Sequence, residues 1–389
     1  MILSLLGSTA AAATLPGSLE LLALTVGGVL PPRRLGQRVR TLRRLSIVIP
    51  AHNEAASITA CLRSLQLADR PATPCDFIVI ADNCLDDTAS RARGVGATVW
   101  ERRDDTARGK GFALEFAFQR LMSETDTDAV LIVDADTEVA PNFLTASEAA
   151  FAAGAEAVQS AYHVKNIDDS TRTRLMNVAF LAFNVLRPRG RARWGLSAGI
   201  LGNGWGMSRT CLQSVPYNAH SVVEDLEHHI ALVRAGFKVE FLHDTYVRAE
   251  MPSDDKAADT QRARWEGGRF RMIREHVPSL LRQAATGTPR ALEPAFELML
   301  LPLAYHVAGL GVALVIPFPP SQLYALGGLG VVAAHVAAGL AVGGADLKDI
   351  RALAAAPRYM LWKAGILPAI LSASVKDQAW VRTLRAAEQ

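Results

Sequence analysis

Apolar residues follow two different rhythms along this chain. Near both ends they run on for membrane lengths, while in the middle short β-branched runs alternate with stretches of helical spacing. From Leu298 to Ala345 there is no Asp, Glu, Lys or Arg. A bilayer span takes about 20 apolar residues, so this stretch holds two, with Pro317, Pro319 and Pro320 at the turn between them. Soluble helices keep a polar face, which argues against a buried hairpin. Residues 1–32 carry one charge, Glu20, and are broken by Pro16-Gly17. Lacking a basic start, they read as a membrane anchor rather than a removed leader. Tyr359 to Ala373 is short for a span and contains Lys363, so an interfacial or re-entrant helix with Trp362 at headgroup level fits better.

Between Leu45 and about Val277 the alternation predicts crossover units. Ser46–Pro50, Phe77–Ala81, Ala97–Trp100 and Ala129–Asp134 read as strands. Glu54–Leu67, Asp86–Arg93 and Lys110–Met122 read as helices, and Pro141 as the first residue of the next. Such a pattern predicts an α/β fold, a mostly parallel sheet with helices on both faces. Ligands of such sheets gather at the carboxyl ends of the strands, where Glu54, Asp82 and the pair Asp134/Asp136 all fall.

Charge sets the orientation. Arg33, Arg34, Arg38, Arg40, Arg43 and Arg44 follow the first apolar segment, and Lys348, Arg351, Arg358 and Lys363 follow the last. The positive-inside rule places both groups in the cytoplasm and the uncharged proline turn outside. The net charge of +3, with no basic stripe among aromatics, excludes a nucleic-acid partner. The four cysteines show no C-x-x-C spacing and read as reduced packing residues.

Several motifs carry chemistry. Asp134-Ala-Asp136 ends a buried strand, where two carboxylates suit Mg2+ or Mn2+; a capping carboxylate explains one of them but not both. Val223-Glu224-Asp225 stands at a helix start, which acidic residues favour in any case. Arg108-Gly-Lys-Gly111 reads as a nucleotide-side glycine segment or a plain turn. Gly202-Asn-Gly-Trp-Gly206 reads as a cradle beneath a sugar or a turn around a core tryptophan. Gln261, Arg264 and Trp265 share about one helical turn, with Gln261 and Arg264 on one face.

Three acidic clusters, then Q-x-x-R-W, then a two-span tail is an order that resembles the membrane-bound family 2 glycosyltransferases, which move a sugar from a nucleotide diphosphate to an acceptor. The resemblance covers roughly residues 45–280, the tail, and the closing Trp380–Arg385. It implies a GT-A-type, Rossmann-like fold with transmembrane helices at both ends. By resemblance Asp82 meets the nucleotide base, with Pro50 and Glu54 as a further wall; Lys110, Gln261 and Arg264 bind the donor, as does Asp134, facing the ribose or sugar. Asp136, with Asp134, holds Mg2+ or Mn2+; Asp225, beside Glu224, is the general base; Trp205 and Trp265 stack on the acceptor. Val223 departs from the family's T-E-D, which loses a hydroxyl and neither carboxylate.

The implied organisation is an anchor at 1–32, a basic linker at 33–44, a cytoplasmic glycosyltransferase domain at 45–285, a helical hairpin at 296–345, and an interfacial helix with a tail at 346–389. The implied protein is an inverting, metal-dependent enzyme at the cytoplasmic face of a bacterial inner membrane. It takes a nucleotide-sugar donor, a UDP-sugar first, and a polysaccharide or lipid-linked acceptor. A processive synthase needs a homo-oligomer or an export partner, because few spans cannot satisfy a polymer's hydroxyls; a single-sugar glycolipid synthase needs neither. A nicotinamide oxidoreductase would want G-x-G-x-x-G where Pro50-Ala-His-Asn-Glu54 stands, and a catalytically dead scaffold would need neither metal nor base motifs.

Overall fold

The computed structural model describes residues 1–33, 35–36, 40–252 and 255–375. The expectations for Arg34, Arg38 and Trp380–Arg385 lie outside these residues. The chain divides into two units, one built on Arg33–Asp169 and Leu196–Ala257, the other on Met1–Pro32, Ser170–Gly195 and Ala258–Lys376.

The first unit is organised by an eight-stranded sheet. Its strands are β1 (Leu45–Ala51), β2 (Cys75–Asp82), β3 (Thr98–Arg102), β4 (Ala129–Ile132), β5 (Glu138–Val139), β6 (Ala157–Val164), β7 (Trp205–Ser208) and β8 (Val239–Ala249), in the order β3-β2-β1-β4-β7-β6-β8-β5. β1 pairs in parallel with β2 and β4, and β2 with β3. Beyond β4 the sheet becomes mixed: β7 is antiparallel to β4 and β6, and β5 to β8, while β6 and β8 run in parallel. β1 and β4 carry apolar residues on both faces because helices cover both. Ile47, Ile49 and Leu131 pack with Ile58, Leu62, Phe143 and Phe151. The Lys110–Glu124 helix contacts β1 and β2 and buries Leu114, Phe118 and Leu121.

The four parallel strands match the sequence pattern. The antiparallel strands β5 and β7 were not legible, since β5 has two residues and β7 starts inside a glycine-rich run. Pro141 is not the first helical residue: it lies in the turn closed by the Phe143 N–H to the Ala140 carbonyl, and the helix runs Phe143–Ala152. All four cysteines are free.

The second unit is helical. Ile2–Val29 and Pro319–Gly343 are long and apolar enough to cross a membrane, and Pro289–Met299 with Leu303–Val315, bent by 79°, make a third candidate. Their contacts are polar as well as apolar. Ser18 Oγ lies 3.2 Å from His306 Nε2 and 3.0 Å from the Tyr324 hydroxyl, and Thr25 Oγ1 lies 2.8 Å from His335 Nδ1. Small residues allow close approach, and a side chain at Gly190 would strike the Leu24 carbonyl.

Ser170–Gly195 belongs to this unit, so the catalytic segment expected at 45–285 is interrupted. Arginines of this segment are drawn inward. Arg187 and Arg191 are buried, and Arg191 pairs with Glu293 at 3.2 Å and Glu297 at 3.3 Å. Gln261, Arg264 and Trp265 lie half-buried on the Asp255–Ala285 helix. On the same helix Arg262 contacts the Trp265 ring and Met176, and Arg269 donates to the Glu297 and Leu300 carbonyls. Glu266 is buried in an ion pair with Lys363 at 2.7 Å and accepts from the Tyr305 hydroxyl at 2.9 Å. Residues 359–373, expected as one interfacial helix, are split between Ala356–Gly365 and Leu367–Val375. The Trp362 indole N–H donates to Asp259 at 2.8 Å.

Candidate active site

The carboxyl ends of β1, β2 and β4 are neighbours, and two strand spacings cover about 10 Å. Each contributes polar groups. At β2, Asp82 is buried and ion-paired through Oδ1 to Arg102 at 2.7 Å. Arg102 also reaches Asp104 at 3.2 Å. Burial pushes the Asp82 carboxyl up, with Arg102 working against it. His52, beyond β1, is hydrogen-bonded through Nδ1 to the Asp82 carbonyl at 2.7 Å, which ties two strand ends together. Pro50 is half-buried within β1, and Glu54 accepts from Ser57 Oγ at 2.8 Å.

At β4 the chain turns through Asp134-Ala-Asp136. Lys110, the first residue of its helix, donates from Nζ to Asp134 Oδ1 and to the Gly202 carbonyl, both at 2.5 Å. Its neighbour Gly111 is required by packing, because a methyl there would overlap the Ala219 carbonyl. Asp225 is in the first turn of the Glu224–Arg234 helix, where its Oδ1 accepts the Leu226 N–H at 2.8 Å. A Cβ on Gly202 would come within 3.2 Å of Asp225 Oδ2, and Gly202, at φ +81, is left-handed.

Charge binds these residues into one site. Burial raises the Asp134 carboxyl; Lys110 opposes this, while Glu224 and Glu54 add to it. Burial likewise raises Asp225, opposed by the Leu226 N–H and Lys110 and assisted by Asp134. Burial lowers Lys110, but Asp134, Glu224 and Asp225 outweigh it and leave it raised. The buried Cys61 thiol and the half-buried Tyr162 phenol both feel Asp136 as well as Asp134. Carboxylates therefore crowd around a single prominent lysine, and a further cation suits that excess. Among the described residues no three carboxylate, histidine or cysteine side chains converge as a ready-made ion cage. Mg2+ is commonly held by one or two carboxylates plus substrate phosphates, and the Asp134/Asp136 pair fits that arrangement.

A model of the glycosyltransferase-like family 2 matches residues 43–268, more than half the chain. The chain belongs to that family. Among family 2 relatives, a probable glycosyltransferase of Bacillus subtilis is 25% identical over 242 residues, 60% of this chain and 56% of the relative. A Staphylococcus aureus 4,4'-diaponeurosporenoate glycosyltransferase is 34% identical over 119 residues, 30% of this chain and 31% of the relative. The chain thus spans little more than half the length of the first and a third of the second. In structure it is similar to a Pyrobaculum calidifontis mannosyltransferase solved with GDP-Man and Mn2+, with a TM-score of 0.56 at 17% identity, covering 96% of this chain and 98% of that one. That likeness bears out the GT-A-type fold.

Within this family 2 site, the structure gathers Glu54, Lys110, Asp134, Asp136, Glu224 and Asp225 and sets Asp82 two strands away. Gln261, Arg264 and Trp265 lie in the helical unit. Trp205, expected to stack on an acceptor, is 1% exposed and packs against Phe118, Tyr217 and His228. As the first residue of β7 it points into the core and has no face for a sugar. Gln159 is buried as well and donates to the Asn203 carbonyl at 2.8 Å. Sequence reasoning missed Arg102 and Asn203, whose partners lie 20 and about 70 residues away and leave no local mark.

Proposed function

We propose that this protein is an inverting, metal-dependent glycosyltransferase that works at the cytoplasmic face of a bacterial inner membrane. It moves a sugar from a nucleotide diphosphate, a UDP-sugar first, to a membrane-bound acceptor. The observation that carries the reading is the crowd of half-buried carboxylates around Lys110, where the strand ends meet a helix start.

Asp82, held by Arg102 through Oδ1, keeps Oδ2 for a base N–H, as an imide would offer. Lys110, held between Asp134 and the Gly202 carbonyl, supplies positive charge to the diphosphate. Asp134 and Asp136 would hold Mg2+ or Mn2+, which when bound neutralises charge on the leaving diphosphate. Asp225 takes the proton of the acceptor hydroxyl as its oxygen attacks the anomeric carbon, and one direct displacement inverts that centre. Arg264 would pair with the diphosphate and Trp265 with the acceptor sugar.

Two helices suited to span a membrane among the described residues, or three with the bent pair, favour transfer of a single sugar to a lipid acceptor over a processive synthase. Polymer export through so few helices would require a second copy or an export partner.

The test is nucleotide release by the full chain in detergent across UDP- and GDP-sugars with Mg2+ or Mn2+. Asp136→Asn and Asp225→Asn are each expected to lower turnover at least 100-fold, in line with the loss of a general base. Near-wild-type rates in either variant overturn the assignment. Product analysis, glycolipid against polymer, decides between the two subtypes.

A further inference from the structure

We propose that Asn203 is a positioning residue which, with Thr137, fixes the turn carrying Asp134 and Asp136. The inference rests on reading that turn as the segment that holds the cation.

Asn203 is completely buried between two left-handed glycines, Gly202 at φ +81 and Gly204 at φ +67. Its side-chain amide reaches both ends of the turn. Oδ1 accepts the Asp134 N–H at 3.1 Å, and Nδ2 donates to Thr137 Oγ1 at 2.7 Å. Thr137, also fully buried, closes the same turn by donating its N–H to the Asp134 carbonyl at 3.1 Å. Tyr162 is a further hydrogen-bond neighbour of the amide. The amide is itself anchored, because the Asn203 carbonyl accepts from Gln159 Nε2 at 2.8 Å and Gln159 Oε1 accepts the Leu201 N–H at 2.8 Å. One residue earlier, the Gly202 carbonyl receives Lys110.

The consequence for Asp134 and Asp136 is mechanical. Two carboxylates one residue apart repel each other, and a turn free to open would relieve that repulsion at the expense of ion binding. A buried amide gripping the entry and the exit of the turn holds the carboxylates close before any cation arrives. Groups that orient ligands in this way are commonly worth 10- to 100-fold in metal affinity or activity. The same loop fixes Lys110 through its backbone and lies against Asp225, so the Gly202–Gly204 segment sets the spacing of cation, diphosphate and base together.

Thr137→Val keeps the shape of the side chain and removes the acceptor for Nδ2, whereas Thr137→Ser keeps the hydroxyl. In the full chain in detergent, Mn2+ affinity is measured by electron paramagnetic resonance with UDP present, alongside UDP-sugar kinetics and binding of UDP without metal. Thr137→Val is expected to weaken Mn2+ binding and lower kcat by about 10- to 100-fold while metal-free UDP binding stays unchanged, and Thr137→Ser to stay within about 3-fold of wild type. Asn203→Ala, which removes both grips at once, is held to the same readouts should Thr137→Val fail to fold. Wild-type Mn2+ affinity and kcat in Thr137→Val, or equal losses in Thr137→Ser, overturn the inference. Asp136→Asn separates the two levels. If it loses Mn2+ and turnover while Thr137→Val is unimpaired, only the role of Asn203 falls; if it retains wild-type Mn2+ binding, the reading of the turn falls and the inference with it.

Discussion

Asp225, the proposed general base, shows what partial burial does to such a group. A base must be ionised to accept a proton, and burial together with Asp134 raises the pH at which Asp225 ionises, although the Leu226 N–H and Lys110 pull the other way. The base is therefore lost as pH falls through a value above the usual range near 4. The acid limb of kcat, measured at saturating donor and metal, is expected to lie above pH 4. A limb at or below the ordinary carboxylate value counts against Asp225 as the base. Asp82, Lys110, Asp134 and Asp225 were legible because each stands at a strand end or helix start that the pattern itself predicts. Arg102, Thr137 and Asn203 act through partners distant in sequence. Trp205 was legible only as an ambiguity, since glycines around an aromatic serve a core turn as well as a sugar cradle.

At the scale of elements, the helix bearing Gln261, Arg264 and Trp265 is braced by Lys363, which the pattern identified but could not place, and by Glu266, which it did not single out. Glu266 and Lys363 are each 5% exposed and pair at 2.7 Å, with Lys363 Nζ 4.7 Å above the Tyr305 ring. Removing one partner of a buried ion pair leaves an uncompensated charge and costs about 3–5 kcal/mol. Lys363→Met is expected to lower the detergent-solubilised melting temperature by several degrees, and Lys363→Glu combined with Glu266→Lys to restore much of the loss. An unchanged melting temperature in Lys363→Met would show that the pair contributes little. The same logic explains why Arg191 and Arg269 lie wholly or partly buried within the helical unit. Sequence displays their charge, but only the fold supplies Glu293, Glu297 and open carbonyls to meet it.

For the whole molecule, orientation in the bilayer is the proposal with the most direct check. Pro320, in the first turn of the Pro319–Gly343 helix, and Leu347, beyond its other end, are both exposed. In a background without the four native cysteines, Pro320→Cys is expected to react with a membrane-impermeant maleimide from outside intact cells. Leu347→Cys is expected to react only after permeabilisation, and the reverse pattern would invert the topology. The two apolar helices were legible from hydropathy alone. The recruitment of Ser170–Gly195 to the helical unit was not, because its arginines and short apolar runs look like any surface helix until their partners are known.

The contacts of Ser18 and Thr25 also bear on the order in which the chain matures. Their imidazole partners, His306 and His335, lie 288 and 310 residues downstream. The first helix thus leaves the ribosome long before either imidazole has been synthesised; meanwhile Thr25 has the Leu21 carbonyl of its own helix at 2.6 Å, whereas Ser18 lacks both His306 and Tyr324. Closure of so long a loop is slow, so these contacts are expected to form late, after the strands of the sheet have been translated.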